Sequence, residues 1–363
     1  MARDPQAGLR LGVWAIVGGS WAARSHPEDP VDASWERNKA LVLEAEELGF
    51  DSTLVAQHTL NARGPGNDQL EAWTASAGLA ALTGRIEVIC AIKPYLYHPV
   101  VLAKMALQIE EMSRGRFAIN VVNAWFRPEL ERAGIGFAEH DERYAYGREW
   151  LAVVRGLIAG ETVSFEGEYF KIDDYLLEPA DSYRARPTIY LGGESEPARA
   201  LAADLADVWF INGQPPGDVR DLIEDLRRRP RAGAPLRFGL AAFVIARATE
   251  AEAQEELAYA WELAAKDKAE MEHLFANVDP KAVMFQKARA NPAIGTNGGT
   301  AAGLVGSYDQ VAERILAFHR LGIELFMLQF QPFEREMRRF AEHLFPRVEA
   351  ARADSPVGVA GVG

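Results

Sequence analysis

Cysteine is nearly missing from this chain. Its 363 residues contain one, Cys90, so no internal disulfide can form and no set of thiolates can hold a metal. The seven histidines are scattered, with no His-x-x-x-His pair, and no Gly-x-Ser-x-Gly turn lifts a serine nucleophile. Neither a metal centre nor a serine-hydrolase site is expected. Positive charge is short as well: 39 Lys and Arg against 52 Asp and Glu leave a formal charge of −13. That sign opposes a phosphate backbone, and the one basic run, Arg227, Arg228, Arg229 and Arg231, sits in a loop-like stretch, so nucleic acid is not an expected partner. Long apolar runs are also missing. Nothing approaches the roughly 20 residues that cross a bilayer, and the run near Trp14 is too short and lacks the basic leader of a signal peptide. No membrane partner is expected, and the cytoplasm is the expected location.

What the chain has is the makings of a large core: 48% apolar residues, with 8 Trp, 17 Phe and 10 Tyr. Short apolar or β-branched runs alternate with longer amphipathic ones, the pattern of repeated strand–helix units around a parallel sheet. The runs predict eight strands, at 10–17, 52–57, 86–93, 116–123, 187–193, 207–213, 237–246 and 325–330. Continuous apolar character without strict alternation fits strands covered on both faces. The expectation is an α/β fold of the (β/α)8 barrel type, one domain over 1–350, with a disordered tail at 351–363. In the first helix Leu41, Ala45 and Leu48 share a face, Asp32 or Ser34 can cap the start, and Gly49 ends it.

Three stretches break the rhythm. One is the Gly/Asn/Pro-rich 59–69; another, 146–181, holds a helix and a small hairpin, VSFEGEYFKI; the third, 266–307, includes the flexible NPAIGTNGGTAAG. Long insertions after barrel strands are commonly active-site loops, so a lid is expected at 266–303.

Barrel chemistry sits at the C-terminal ends of the strands, which nominates the polar and aromatic residues there. These are Gln57 and His58, Lys93 with Tyr95, Tyr97 and His98, Asn120 and Asn123 with Trp125, Glu194 and Ser195, and Asn212 with Gln214. Asn120 interrupts an otherwise apolar strand, and a buried amide needs a partner, either backbone or a ligand edge. His140-Asp-Glu-Arg143-Tyr144 opens a helix and offers a planar guanidinium fork beside a hydroxyl, or equally a surface charge cluster. Gly192-Gly193-Glu194-Ser195 lies between a strand and a helix, where glycines admit an anion to the helix N-terminus or simply make a tight turn. Cys90, mid-strand among apolar neighbours, reads as a small core residue.

Together these segments make the chain resemble the luciferase-like flavin-dependent monooxygenases from about Leu11 to Val348. The resemblance is carried by GRFAINVVNAWF (115–126), HDERY (140–144), GGES (192–195), WFING (209–213), AFVIAR (242–247) and LVGSYDQVAER (304–314). It is strongest to sulfone-oxidising members, with pyrimidine- and alkanesulfonate-oxidising members behind. The resemblance implies reduced FMN (FMNH2) across the barrel mouth, O2 as co-substrate, an NAD(P)H-dependent flavin reductase as supplier, and a homodimer or homotetramer. It implies that Gln57, His58, Asn120 and Glu129 contact the flavin, and that Arg143, Tyr144, Gly193 and Ser195 grip its phosphate and ribityl chain. His58 and Asn120 would be catalytic, orienting the oxidant by hydrogen bonding. Ala91, Tyr95, Trp125, Trp209 and Phe243 would wall the substrate pocket. Alkanesulfonate enzymes carry Arg and His where this chain has Ala241 and Phe243, and a permanent anion needs cations on desolvation. Ala91 stands where pyrimidine oxygenases carry Thr. The implied reaction is therefore oxygenation of a small neutral organosulfur compound with C–S cleavage. The alternatives are flavin N5-oxide chemistry on a heterocycle or halogenated aromatic, deazaflavin-dependent hydride transfer, and a flavin-binding barrel without turnover.

Overall fold

The computed structural model describes residues 8–354. Eight parallel strands close a barrel: β1 (Arg10–Ala15), β2 (Ser52–Val55), β3 (Glu87–Ile92), β4 (Phe117–Val121), β7 (Thr188–Gly192), β8 (Val208–Ile211), β9 (Arg237–Phe243) and β12 (Ile323–Gln329). Between β4 and β7 a hairpin, β5 (Val163–Glu166) and β6 (Lys171–Tyr175), pairs antiparallel where the small hairpin was expected. Helices α1 (Trp35–Leu48), α2 (Ala72–Leu82), α3 (Pro99–Ser113), α4 (Arg127–Arg132), α5 (His140–Ile158), α6 (Glu196–Leu205) and α7 (Pro216–Arg228) follow the strands. The barrel closes by pairing β1 with both β2 and β12.

All eight expected strands are present, shortened mostly by a residue or two at their ends. One expectation fails. The run 237–246 is not a single strand: it breaks at Val244, and β10 (Ile245–Arg247) leaves the barrel to pair with β11 (Val305–Ser307) in a separate two-stranded sheet. Helix α8 (Glu250–Ala264) then starts from a capping box in which Thr249 and Glu252 satisfy each other's backbone amides. The first helix is capped as expected, with the Ser34 hydroxyl accepting from the Arg37 amide and Gly49 in the left-handed conformation at its end.

The bottom of the barrel is filled and holds a paired charged network. Arg10 pairs with Glu87, and the Tyr190 hydroxyl donates to the same carboxylate at 3.0 Å. Above it Phe210 stacks on Tyr190 with ring centroids 5.3 Å apart. Gly239 is required beside that ring, because an added Cβ would stand 2.7 Å from Phe210 Cε1.

The third insertion carries α9 (Lys268–Asn277), α10 (Val283–Ala290) and a packed loop. The sequence 291–303, expected to be flexible on its composition, is seated on the barrel rim. Gln329 exchanges two hydrogen bonds with the Thr296 backbone, at 3.0 and 3.1 Å, and the Gly213 amide donates to Asn297 O at 2.7 Å. Its glycines serve close approach: a Cβ at Gly298, φ 80°, would lie 2.0 Å from Gly213 O. Helix α11 (Tyr308–Leu321) leads to β12, and α12 (Phe333–Asp354) runs into the expected tail, whose residues 355–363 lie outside the described residues. Among the described residues no helix is long and apolar enough to cross a membrane, and no group of three or more His, Cys, Asp or Glu could hold a metal.

Candidate active site

One cavity opens at the C-terminal ends of the strands, with about 1230 Å³ of space between atoms up to and including its mouth. Inward-facing residues of seven strands or their ends reach it: Trp14, Leu54, Ala91, Asn120, Gly192, Phe210 and Ala241. Asp279, Ala282, Val283 and Met284, with Thr296 and Asn297, close one side from the third insertion. A concave pocket, largely apolar with a few convergent polar groups, is the form a cofactor site takes.

The polar groups facing it are unsatisfied. Trp14 Nε1, Trp21 Nε1, Gln57 Oε1, Asn120 Oδ1, Asn123 Oδ1 and Nδ2, and Ser195 Oγ are buried without a hydrogen-bond partner, and all belong to residues lining this one cavity. Native proteins pair nearly all buried polar atoms, and each orphan costs about 1–3 kcal/mol. Such a cluster of orphans marks where a polar ligand supplies the missing partners.

The charged groups, in contrast, are paired. Lys93 and Glu129 form a wholly buried ion pair, with Lys93 Nζ also 2.7 Å from Gln57 O and 3.1 Å from His58 Nδ1. Glu129 further accepts from the Thr59 amide at 2.5 Å. Burial by itself would raise the Glu129 carboxyl, but the Lys93 charge beside it holds it down at about 2. Burial and the Lys93 charge push the His58 imidazole down, so the ring is neutral at pH 7. Arg143, at the start of α5, pairs with Asp279 and donates to Ala138 O at 2.6 Å, its guanidinium 4.0 Å over the Phe137 ring. Glu194 accepts from the Asn212 amide at 2.9 Å and from Lys287 Nζ at 2.7 Å.

The phosphate-type corner is built from three elements. Ser195 is the N-cap of α6, its hydroxyl free, and the first turn of a helix presents unpaired amides to an anion. Gly193, φ 116°, brings backbone against Tyr144, whose hydroxyl would stand 3.0 Å from an added Cβ. Burial pushes the Tyr144 hydroxyl up, so it remains a donor. Between β4 and α4 the chain turns through Ala124, φ 43°, a left-handed conformation costing about 1–2 kcal/mol in a non-glycine residue. That turn sets both Asn123 and Trp125 on the cavity wall.

Of the residues that the resemblance places at the site, Gln57, His58, Ala91, Asn120, Trp125, Arg143, Tyr144, Gly193 and Ser195 all line the cavity. Four do not. Glu129 lies behind the wall, its carboxylate consumed by Lys93 and Thr59. Tyr95, on the turn after β3, stacks at 4.1 Å on Tyr146 away from the cavity. Trp209 alternates with the inward Phe210, faces outward, and donates to Gly193 O at 2.8 Å. Phe243 sits above the barrel break in a separate cluster with Ile245, Ile294 and Val305. Sequence reasoning missed Trp14, Trp21 and Asp279. Strand alternation could have found Trp14, two residues beyond the inward Gly12, but nothing local marks Asp279.

This geometry, an eight-stranded barrel with one polar-lined cavity at its C-terminal face, agrees with what the chain's relatives show. Residues 12–325 match the model of the luciferase-like monooxygenase family, and the chain belongs to that family. It is similar to an FMNH2-dependent dimethylsulfone monooxygenase of Pseudomonas putida, 33% identical over 97% of this chain and 98% of the relative. A protein of the same description from Pseudomonas fluorescens (strain Pf0-1) is 31% identical over 96% of each chain. Among solved structures, EDTA monooxygenase from Chelativorans sp. BNC1 superposes with a TM-score of 0.73 at 17% identity, covering 94% of each chain, a likeness of fold.

Proposed function

We propose that this protein is an FMNH2-dependent monooxygenase that oxidises a small neutral organosulfur compound of the sulfone type and cleaves a C–S bond. The observation that carries the reading is the set of orphaned polar atoms on one cavity wall beside an anion-suited corner. They fit the polar edge of an isoalloxazine and a ribityl phosphate. Gln57, Asn120 and Asn123 offer amides to the ring edge. Arg143, Tyr144, Ser195 and the first turn of α6 would hold the phosphate and ribityl hydroxyls, with Gly193 admitting the chain closely. The two curated relatives bear a name that states FMNH2 dependence.

Reduced flavin supplies the two electrons that split O2 between the substrate and water. For dimethyl sulfone, one sulfone, one O2 and one FMNH2 give methanesulfinate, formaldehyde, FMN and water. The protein's residues bind, orient and exclude water. Asn120 and His58 would offer polar atoms to the bound flavin and substrate, while Val283, Met284 and Ala282 line the same cavity from the insertion. We assign that insertion, 266–303, the part of a lid, since a covered site keeps water from draining the oxidant.

Neutrality of the substrate follows from charge pairing. Lys93 is held by Glu129, Arg143 by Asp279, and Ala241 puts a methyl where a cation would be needed to desolvate a sulfonate. A separate NAD(P)H-dependent flavin reductase would supply FMNH2, a reading supported by the FMNH2 dependence stated in the names of the two curated relatives. A homodimer or homotetramer belongs to the same reading. A reductase-coupled assay against sulfones, sulfonates and heterocycles, read by mass spectrometry, tests it. Sulfinate and aldehyde from a sulfone are expected. Product only from sulfonates or heterocycles, or turnover only with a deazaflavin, would replace it.

A further inference from the structure

The buried cluster behind the cavity wall determines which nitrogen of His58 carries its hydrogen. Lys93 Nζ has three neighbours within hydrogen-bond distance: Gln57 O at 2.7 Å, His58 Nδ1 at 3.1 Å, and Glu129 Oε2 in a short ion pair. Burial pushes the Lys93 amine down, but the ion pair with Glu129 opposes that shift and keeps it an ammonium; an ammonium has three hydrogens and no lone pair, so each neighbour receives one and each must accept. His58 Nδ1 is therefore the bare nitrogen, and a neutral ring must be protonated at Nε2. The competing arrangement, Nδ1–H donating to Glu129 Oε2, spans 3.5 Å and would set an imidazole hydrogen against the ammonium. Glu129 fixes the lysine in turn, its other oxygen held by the Thr59 amide at 2.5 Å and hydroxyl at 3.2 Å. Trp125, at 5.1 Å and 72°, and Trp21, at 6.4 Å, flank the ring and limit its rotation. With Nδ1 occupied from behind, the remaining nitrogen is what His58 offers the cavity it lines.

We infer that Lys93 and Glu129 are positioning residues that lock His58 as its Nε2–H tautomer, so that the cavity meets a fixed hydrogen-bond donor at this point and not a base. The use of that donor, to stabilise an oxygen that gains negative charge during turnover, rests on the function proposed above; the tautomer itself does not. A donor aimed in advance at developing charge is among the stronger contributions a site can make, about 100-fold in rate.

The test is nitrogen NMR of the flavin-free protein labelled with 15N-histidine at pH 7, with the His58 signals assigned by their loss in His58→Gln. A protonated Nε2 and a bare Nδ1 are expected. A protonated Nδ1, or both nitrogens protonated, would overturn the inference. In Lys93→Met the hydrogen should move to Nδ1, facing Glu129, or the ring should become doubly protonated; an unchanged pattern would equally overturn it. Should Lys93→Met fail to fold, the wild-type spectrum decides alone. In turnover, Lys93→Met should lower kcat by about 100-fold with KM for the substrate within about twofold. If the Nε2–H form is found but reduced FMN does not bind, the functional proposal fails and this inference stands. If flavin turns over while Nδ1 carries the hydrogen, only this inference fails.

Discussion

The two ends of the barrel differ in how their buried polar side chains are paired. At the bottom, Arg10, Glu87 and Tyr190 satisfy one another inside a filled lumen. At the top, Asn120, Asn123, Gln57 and Ser195 are buried with polar atoms that nothing in the protein satisfies. A completed network stabilises the fold, whereas an incomplete one costs stability and persists where a ligand completes it. The contrast separates stability from function by position, as expected when catalytic groups gather at the C-terminal face.

Substitutions at the two ends should therefore separate cleanly. The largest effect is expected from Glu87→Ala, which leaves Arg10 and Tyr190 without their acceptor: about 3 kcal/mol of stability lost, seen as a lower denaturant midpoint, with affinity for reduced FMN unchanged. Next is Arg143→Ala, expected to weaken reduced-FMN binding by about 2 kcal/mol, read by anaerobic fluorescence titration; a loss of stability without a loss of affinity would return Arg143 to a purely structural role. Asn120→Ala should reduce kcat by 10-fold or more while stability changes by under about 1 kcal/mol, since the orphaned carbonyl has nothing to lose.

The Glu129 carboxyl, held near 2 against an ordinary 4.5, contributes stability that is present above pH 4.5 and lost as pH falls toward 2. Thermal melts of wild type and a Lys93→Met/Glu129→Gln double variant should converge across that window and run parallel from pH 6 to 8. The smallest effect is expected from Tyr95→Phe, which should leave flavin affinity and kcat within about twofold because the ring stacks on Tyr146 outside the cavity.

Much of the fold was legible because parallel strands covered on both faces read as apolar runs, and each of the eight runs holds one barrel strand. What was lost had physical reasons. A three-residue strand, Val305–Ser307, is too short to show a period, and the break at Val244 depends on that distant partner. The loop 291–303 read as flexible from its glycines, which in fact permit backbone contact with Gly213. At the site, Asn120 was conspicuous as an amide within an apolar strand, and His58 and Arg143 by their place at strand and helix ends. Trp209 was misassigned because side-chain parity was not applied: its neighbour Phe210 takes the inward position. Glu129 was read as touching the ligand, whereas it pairs with Lys93, which lines the cavity while Glu129 does not. Asp279 reaches Arg143 from 136 positions away, a contact that only tertiary structure reveals.

The central claim is that the unsatisfied polar cavity at the top of the barrel is a reduced-flavin site, and anaerobic titration of the flavin-free protein with FMNH2 addresses it directly. Saturable binding of one equivalent per chain, weakened in Arg143→Ala and unaffected in Glu87→Ala, is the predicted result. No binding of FMNH2 by the folded wild-type protein would contradict the account.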